Sequence, residues 1–330
     1  MRVFMAGGTG LIGSRLIAEL VGRGDQPVVL TRRASSVRER PEFRQVEVVQ
    51  GDPTTSGSWQ KSVDGCDAVV NLTGHNLFAK RWSPEVKRLI RESRVHSTEH
   101  LVSAVEQAKT RPTVFVQGSA VGYYGMTGDE ELTESSPAGS DFMAVICREW
   151  EDASRSVANA GTRLAIIRTG IVLAKGEGAL GVMTPLFKWL PGGAAPVGSG
   201  SNPLVPGTGK QWMSWIHLTD IVGLIVLAID SNEAQGPING TAPNPVRNIE
   251  FSRELARVVH RPFLPIGPPD VMLRTVLGEV AQVVTKGQRV LPARAVELGY
   301  RFAFPELAGA LHDLLSPASS ETSHGASAAS

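Results

Sequence analysis

Apolar and polar positions along this chain follow two alternating periods. Short runs such as Val3-Phe4-Met5-Ala6, Val28-Val29-Leu30 and Ala68-Val69-Val70 are apolar at every position. That is the pattern of strands covered on both faces. Between them the apolar residues recur at helical spacing, first as Leu16, Ile17, Leu20 and Val21. The pattern predicts a first strand ending at Gly7, then strands at Pro27–Thr31, Gln45–Gln50, Asp67–Asn71, Thr113–Gln117 and Leu164–Ile167. Long helices are predicted over Pro84–Lys109 and over Asp141–Ala160, the second stopped by Gly161. Strands alternating with helices at this spacing predict an α/β fold, a Rossmann-type doubly wound parallel sheet.

Beyond about residue 175 the texture changes. Pro191 to Gly209 is rich in Gly, Pro and Ser and reads as a long loop, a lid or substrate-binding insertion. Helical spacing returns over Ile249–Val259, with Asn248 placed to cap it, and over Pro305–Leu315. The expected division is a dinucleotide-binding domain over 1–175, rejoined by segments near 210–245. A smaller C-terminal substrate lobe follows over 176–315, and 316–330 is a Ser/Ala-rich disordered tail.

The first strand runs into Gly7-Gly8-Thr9-Gly10-Leu11-Ile12-Gly13 and directly into the first helix. Strand, glycine turn and helix N-terminus together suit a dinucleotide pyrophosphate. The glycines admit close backbone approach, and the free N–H groups and positive dipole end of the helix face the phosphates. An NAD site carries an acid at the end of the second strand. Here that place holds Thr31-Arg32-Arg33, and guanidinium groups suit a 2′-phosphate, so NADP(H) is the expected cofactor. Asp52 is placed either to contact the adenine amino group or to cap a helix.

Composition removes other classes. Lys+Arg 33 against Asp+Glu 32 gives a net charge of +1, which favours neither nucleic acid nor an anionic membrane. Two cysteines, Cys66 and Cys147, leave no disulfide framework or cysteine zinc site, and the histidines have no ligand spacing, so no metal is expected. The longest apolar stretch, Ile221–Ile229, is too short to span a bilayer. With a core strand at the very start of the chain, a cytoplasmic protein without a signal peptide is the expectation.

Gly7–Gly13, Asn71-Leu-Thr-Gly74 and Ser119, in that order, make the first half resemble an extended short-chain dehydrogenase/reductase. The runs Glu92-Ser-Arg94, Ser119-Ala-Val-Gly-Tyr-Tyr-Gly125, Arg168-Thr-Gly-Ile-Val-Leu173 and Gln211-Trp-Met-Ser-Trp-Ile-His217 narrow this. They are similar to the atypical epimerase-family oxidoreductases, whose small C-terminal domain of unknown function is matched here from about Leu277 to Leu315. The resemblance implies cofactor contacts at Gly7, Thr9, Gly10, Leu11, Ile12, Thr31, Arg32, Leu72, Thr73, Arg94 and the Thr169-Gly170-Ile171-Val172 backbone, with Gly13 completing the turn. It also makes a homodimer through the two long helices a candidate assembly. Ser201 to Thr208 departs from the family as extra loop.

Typical members of that superfamily carry a Tyr-x-x-x-Lys pair on the helix after the fifth strand. Here Met143 and Cys147 take those positions, one turn apart on an apolar face that does no acid–base work, with Cys147 read as a structural cysteine. The proton source is then Ser119 after the fifth strand, Tyr124, His75 past the fourth strand, or water. His217 and Asp220 read as a strand-to-helix junction, with Asp220 or Thr219 capping a helix at Ile221. Trp212 and Trp215 are read as core aromatics, with stacking on a substrate ring the other reading. Two functions follow. One is an NADP(H)-dependent oxidoreductase or epimerase acting by hydride transfer on a small carbonyl, hydroxyl or nucleotide-sugar substrate. The other is a non-catalytic NADP(H)-binding sensor or scaffold.

Overall fold

The fold is described from a computed structural model, over residues 1–189, 208–265, 271, 275 and 278–316. Its strands are β1 (Arg2–Ala6), β2 (Gln26–Thr31), β3 (Glu47–Gln50), β4 (Ala68–Asn71), β5 (Val114–Ala120), β6 (Glu131–Leu132), β7 (Arg163–Thr169), β8 (Ile171–Ala174), β9 (Trp212–Met213), β10 (Trp215–His217), β11 (Gly236–Gly240), β12 (Val246–Arg247) and β13 (Arg289–Val290). The helices include α1 (Leu11–Gly22), the short α2 (Ala34–Arg38), α3 (Pro84–Gln107), α4 (Phe142–Asp152), α5 (Gly178–Trp189), α6 (Leu218–Asp230) and α7 (Asn248–Val258), with a closing helix at Leu307–Leu315.

Seven strands form one parallel sheet in the order β3-β2-β1-β4-β5-β7-β11. The order in which the chain adds strands reverses between β1 and β4, the place where a crevice opens at the carboxyl ends of a doubly wound sheet. Period-two alternation divides the apolar side chains between two faces. Val3, Met5, Val29, Val70 and Ile167 cluster with Leu16 and Ile17 of α1 and Ile221 and Leu224 of α6. Phe4, Ala6, Val28, Leu30, Val69 and Phe115 cluster on the other face with Leu101, Val102 and Val105 of α3 and with Trp59. Burial on both faces is why these strands read as unbroken apolar runs.

A third core joins Leu173, Met213, Trp215, Phe251, Leu255, Leu307, Leu311 and Leu314 beside the sheet. The small pairs β8–β10 and β9–β12 contribute to it, while Leu132 of β6 and Val290 of β13 pack with Tyr124 in a separate cluster.

Four expectations change. The helix predicted over Asp141–Ala160 is two elements, α4 and a 3-10 segment over Arg155–Ala160. The buried Ser154 hydroxyl donates to the Glu151 carbonyl at 2.6 Å, a local bond that competes with helix continuation. Neither Thr219 nor Asp220 caps α6. The helix starts at Leu218, and His217 caps it, its Nδ1 accepting from the Thr219 N–H at 3.1 Å. Asn248 is the first residue of α7, and the cap lies one residue earlier, where the Arg247 N–H donates to Glu250 at 2.7 Å. Trp215 is fully buried, but Trp212 lies between the guanidinium groups of Arg247 (4.1 Å) and Arg289 (4.7 Å), outside any apolar core. The expected loop over Pro191–Gly209, the extra loop over Ser201–Thr208 and the disordered tail fall almost wholly outside the described residues.

Candidate functional site: the crevice between β1 and β4

The crevice begins at Gly7, whose φ of +81° lies in the left-handed region that favours glycine. A Cβ there would stand 2.5 Å from the Leu72 carbonyl carbon and 2.9 Å from the Thr73 nitrogen, so the chain leaving β4 presses against the turn. The Gly10 N–H returns to the Gly7 carbonyl at 3.1 Å. Gly10 then caps α1 with no side chain and no acid in the first turn, leaving the first N–H groups of the helix directed at the crevice.

Beside the turn, Thr31 ends β2, and its hydroxyl accepts from the Arg33 N–H at 3.2 Å. Arg32 and Arg33 are exposed, and no carboxylate among the described residues pairs with either guanidinium. Asp52, at the end of β3, uses Oδ1 to accept from the Thr54 N–H (2.9 Å) and hydroxyl (2.7 Å), a local turn rather than a helix cap.

The floor under Leu72-Thr73-Gly74 is a buried polar network. The Asn71 amide donates to Thr98 (2.9 Å) and Gln117 (3.1 Å), and its oxygen accepts from the Thr73 N–H (3.2 Å) and hydroxyl. The hydroxyls of Thr73 and Ser97 lie 2.6 Å apart. Arg94 of α3 reaches Gly74, where a Cβ would stand 3.0 Å from its guanidinium carbon. On the far wall, Gly170 is held so close that a Cβ would stand 2.3 Å from the Ser214 carbonyl oxygen. Half-buried Thr169, Ile171 and Val172 flank it. What this crevice can hold is an extended ligand with a diphosphate at the glycine turn.

The proton-bearing candidates separate. The Ser119 hydroxyl donates to Glu151 at 2.7 Å, and Glu151 takes two further bonds from Arg168, both 2.9 Å. Arg168 also donates to the Tyr124 hydroxyl (3.0 Å), which donates to Asn239 (2.6 Å). All five side chains are buried, with Arg168 and Glu151 only 4% and 2% exposed. Burial pushes the Tyr124 phenol up to about 12. Burial alone would lower the Arg168 pKa, but the bonds and charge of Glu151 outweigh it and hold it above the usual value.

Met143 and Cys147 line the same buried side of α4, and burial, aided by the Glu151 charge, pushes the thiol up to about 12. His75 is bound through its backbone, its N–H donating to Ser93 (2.9 Å) and its carbonyl accepting from Arg94 (3.2 Å). Glu151, Arg168 and Asn239 were not singled out from the sequence. The available signal was a charge, Arg168, directly after the apolar run Leu164–Ile167 and still within β7.

Comparison with known proteins agrees with this architecture. Residues 3–239 match the model of the NAD dependent epimerase/dehydratase family, and 268–314 match a domain of unknown function, beginning about nine residues earlier than Leu277. The chain is 41% identical over 321 residues to the chloroplastic SDR39U1 homologue, an epimerase family protein of Arabidopsis thaliana, covering 96% of this chain and 87% of that one. The crystal structure of human epimerase family protein SDR39U1 with NADPH superposes with a TM-score of 0.82 at 32% identity, covering 96% and 99% of the two chains. A nucleoside-diphosphate sugar epimerase from Corynebacterium glutamicum gives a TM-score of 0.73 at 31% identity, covering 96% of this chain and 58% of that one. No helix among the described residues is long and apolar enough to cross a membrane.

Proposed function

The chain belongs to the NAD-dependent epimerase/dehydratase family, and from that premise we propose that it binds NADP(H) and acts by hydride transfer on a small carbonyl, hydroxyl or nucleotide-sugar substrate. The observation that carries the cofactor choice is Arg32, exposed and unpaired among the described residues at the end of β2 where an NAD site has an acid. The NADPH in the human relative's crystal structure supports the same choice. Gly7, Thr9, Gly10, Leu11, Ile12 and Gly13 hold the diphosphate in this reading, and Thr31 and Arg32 hold the 2′-phosphate. Leu72, Thr73, Arg94, Thr169, Ile171 and Val172 line the path toward the nicotinamide.

When bound, the cofactor supplies a hydride at the nicotinamide ring. This chain's own residues fix its position, but they bring no tyrosine–lysine pair. The hydroxyls of Ser119 and Tyr124 are occupied in the buried network around Arg168. Among the candidates this leaves His75 or water to move the proton. The occupied hydroxyls and the apolar Met143–Cys147 face also favour a second reading, an NADP(H)-binding sensor without catalysis.

Arg32→Ala separates cofactor recognition from catalysis. It is expected to weaken NADPH by roughly ten- to a hundred-fold, as for a lost charged hydrogen bond, and to leave NADH almost unchanged in a fluorescence titration. Equal loss for both would overturn the 2′-phosphate assignment. NADPH oxidation with any member of a carbonyl panel supports the enzyme, and tight binding with a silent panel supports the sensor.

A further inference from the structure

The C-terminal domain reaches the crevice through one short segment, residues 287–291. It carries β13, which pairs with β6, and the Leu291 N–H continues the contact by donating to the Leu132 carbonyl at 2.8 Å. At its start Gly287 lies so close to the Trp212 carbonyl that a Cβ would overlap it. Half-buried Gln288 then bridges 167 residues of sequence, its Nε2 donating to the Val121 carbonyl at 2.9 Å. Val121 opens the 3-10 segment Val121–Tyr124 directly after β5. The next residue, Gly122, faces the apolar side of α4: a Cβ there would stand 3.5 Å from the Met143 Cβ and 3.7 Å from the Cys147 sulfur.

The same segment holds a second wall. The buried Ser214 hydroxyl donates to the Gln288 carbonyl (2.8 Å) and accepts from the Val290 N–H (2.9 Å). On its other side, the Ser214 carbonyl accepts from the Ile171 N–H at 2.8 Å and crowds Gly170. Ser214 is thus a bracket between residues 287–291 and the turn from β7 into β8. That turn and the β5 exit are neighbours, since Ala120 and Thr169 are partners in the sheet. Docking a strand needs only apolar burial, which Val290 supplies against Tyr124 and Leu132. Gln288 and Ser214 add directed bonds to backbone atoms of both walls, and such a supporting layer is what holds a site in register.

We propose that residues 287–291 set the nicotinamide end of the crevice, with Gln288 the positioning residue for the β5 exit and Ser214 the link to Gly170 and Ile171. The domain of unknown function matched over 268–314 then has a defined task. It orders the end of the cofactor that carries the hydride, while the glycine turn and Arg32 hold the rest. This rests on the reading that the dinucleotide lies along the β1–β4 crevice with its nicotinamide toward Thr169, Ile171 and Val172. Gln288 works through Val121 and not by contact with the cofactor. Hydride transfer needs close approach of the reacting atoms, so a wall that shifts the ring controls the rate as well as the binding.

The test compares NADPH with 2′,5′-ADP, which keeps the adenosine half and lacks the nicotinamide, by calorimetry on the full chain. Gln288→Glu keeps the shape but sets an acceptor against the Val121 carbonyl. It is expected to weaken NADPH roughly three- to ten-fold while 2′,5′-ADP stays within about two-fold, and the fluorescence of bound NADPH should move toward that of the free cofactor. Gln288→Ala, which removes the donor without adding a charge, is measured in parallel with the same expectation and keeps the test decisive if Gln288→Glu does not fold. Gln288→Lys, which restores a donor, is expected to recover part of the loss. Arg289→Ala removes the neighbouring contacts with Glu131 and Trp212 and is expected to leave both affinities within about two-fold. NADPH affinity unchanged in Gln288→Glu and Gln288→Ala overturns the proposal, and so does an equal loss for 2′,5′-ADP. The same split in Arg289→Ala also overturns it, because docking of the strand alone would then be the cause. Failure of the unaltered protein to bind NADPH would defeat the cofactor reading instead, and hydrogen exchange then decides the wall by itself. The Gly125 amide, bonded to the Gly122 carbonyl at 3.1 Å, is expected to exchange faster in Gln288→Ala, and unchanged exchange overturns the role of Gln288.

Discussion

Gly13 shows how far a single hydrogen decides the site. A Cβ at Gly13 would stand 2.5 Å from the Gly7 carbonyl oxygen and 2.6 Å from the Gly8 Cα, both backbone atoms that cannot turn aside. At Gly10 the nearest contact is 3.4 Å, an ordinary one. Gly13→Ala is therefore expected to force the turn open, costing about 1–3 kcal/mol as overpacking does and weakening NADPH and NADH together. Gly10→Ala should be far milder, and urea melts with paired cofactor titrations compare the two. Glu151 is a second such residue. Removing it leaves Arg168 buried and uncompensated and frees the hydroxyl of Ser119. Glu151→Ala is expected to destabilise by roughly 3–5 kcal/mol, and an unchanged urea midpoint would show that the network does not hold the fold. The glycines were legible because their requirement is local. Glu151 was not, because its partners Ser119 and Arg168 lie 32 and 17 residues away.

Elements were legible where one physical cause acts alone. Parallel strands covered on both faces are mostly apolar, and β1, β2, β4, β5 and β7 all appear within a few residues of their predicted positions. Helix ends were harder, since a cap is settled by what else competes for the side chain. Asp220 looks like a cap in sequence, yet it is fully buried and accepts from the Ala303 N–H (2.7 Å), the Phe304 N–H (3.0 Å) and the Tyr300 hydroxyl (3.2 Å). It fastens the segment before the closing helix to the start of α6. Asp220→Asn keeps the shape but replaces one acceptor oxygen with a donor, opposite a backbone N–H. The expected cost is about 1–3 kcal/mol per unsatisfied group, with faster hydrogen exchange at Ala303 and Phe304. Unchanged exchange at those two amides would dissociate Asp220 from the docking of this segment.

At the scale of the whole molecule, the sheet and the smaller lobe meet at His217, which couples their union to pH. Its Nδ1 caps α6, its ring lies 3.9 Å from that of Phe304, and its Nε2 stands 3.3 Å from Asp313 of the closing helix. Burial holds its pKa below the ordinary value, ahead of the opposing pull of Asp313 and Asp220, and Arg15 adds to the depression. The neutral ring is thus the folded form. As pH falls below about 6.5, the unfolded chain takes up the proton first, so stability declines until the folded pKa is passed. Protonation of Nδ1 would also remove the acceptor that the Thr219 N–H uses. Urea unfolding at steps from neutral pH downward should show stability falling by no more than about 1.4 kcal/mol per pH unit for this one group. In His217→Asn, whose side-chain oxygen can still cap α6, that part of the decline should vanish while carboxylate titration at lower pH remains. An unchanged acid limb in the variant would place the pH dependence elsewhere. The variant's cofactor affinity should not move, since the β1–β4 crevice and the lobe junction share no side chain in these contacts. Recognition of the dinucleotide and attachment of the lobe are then separable properties of one chain.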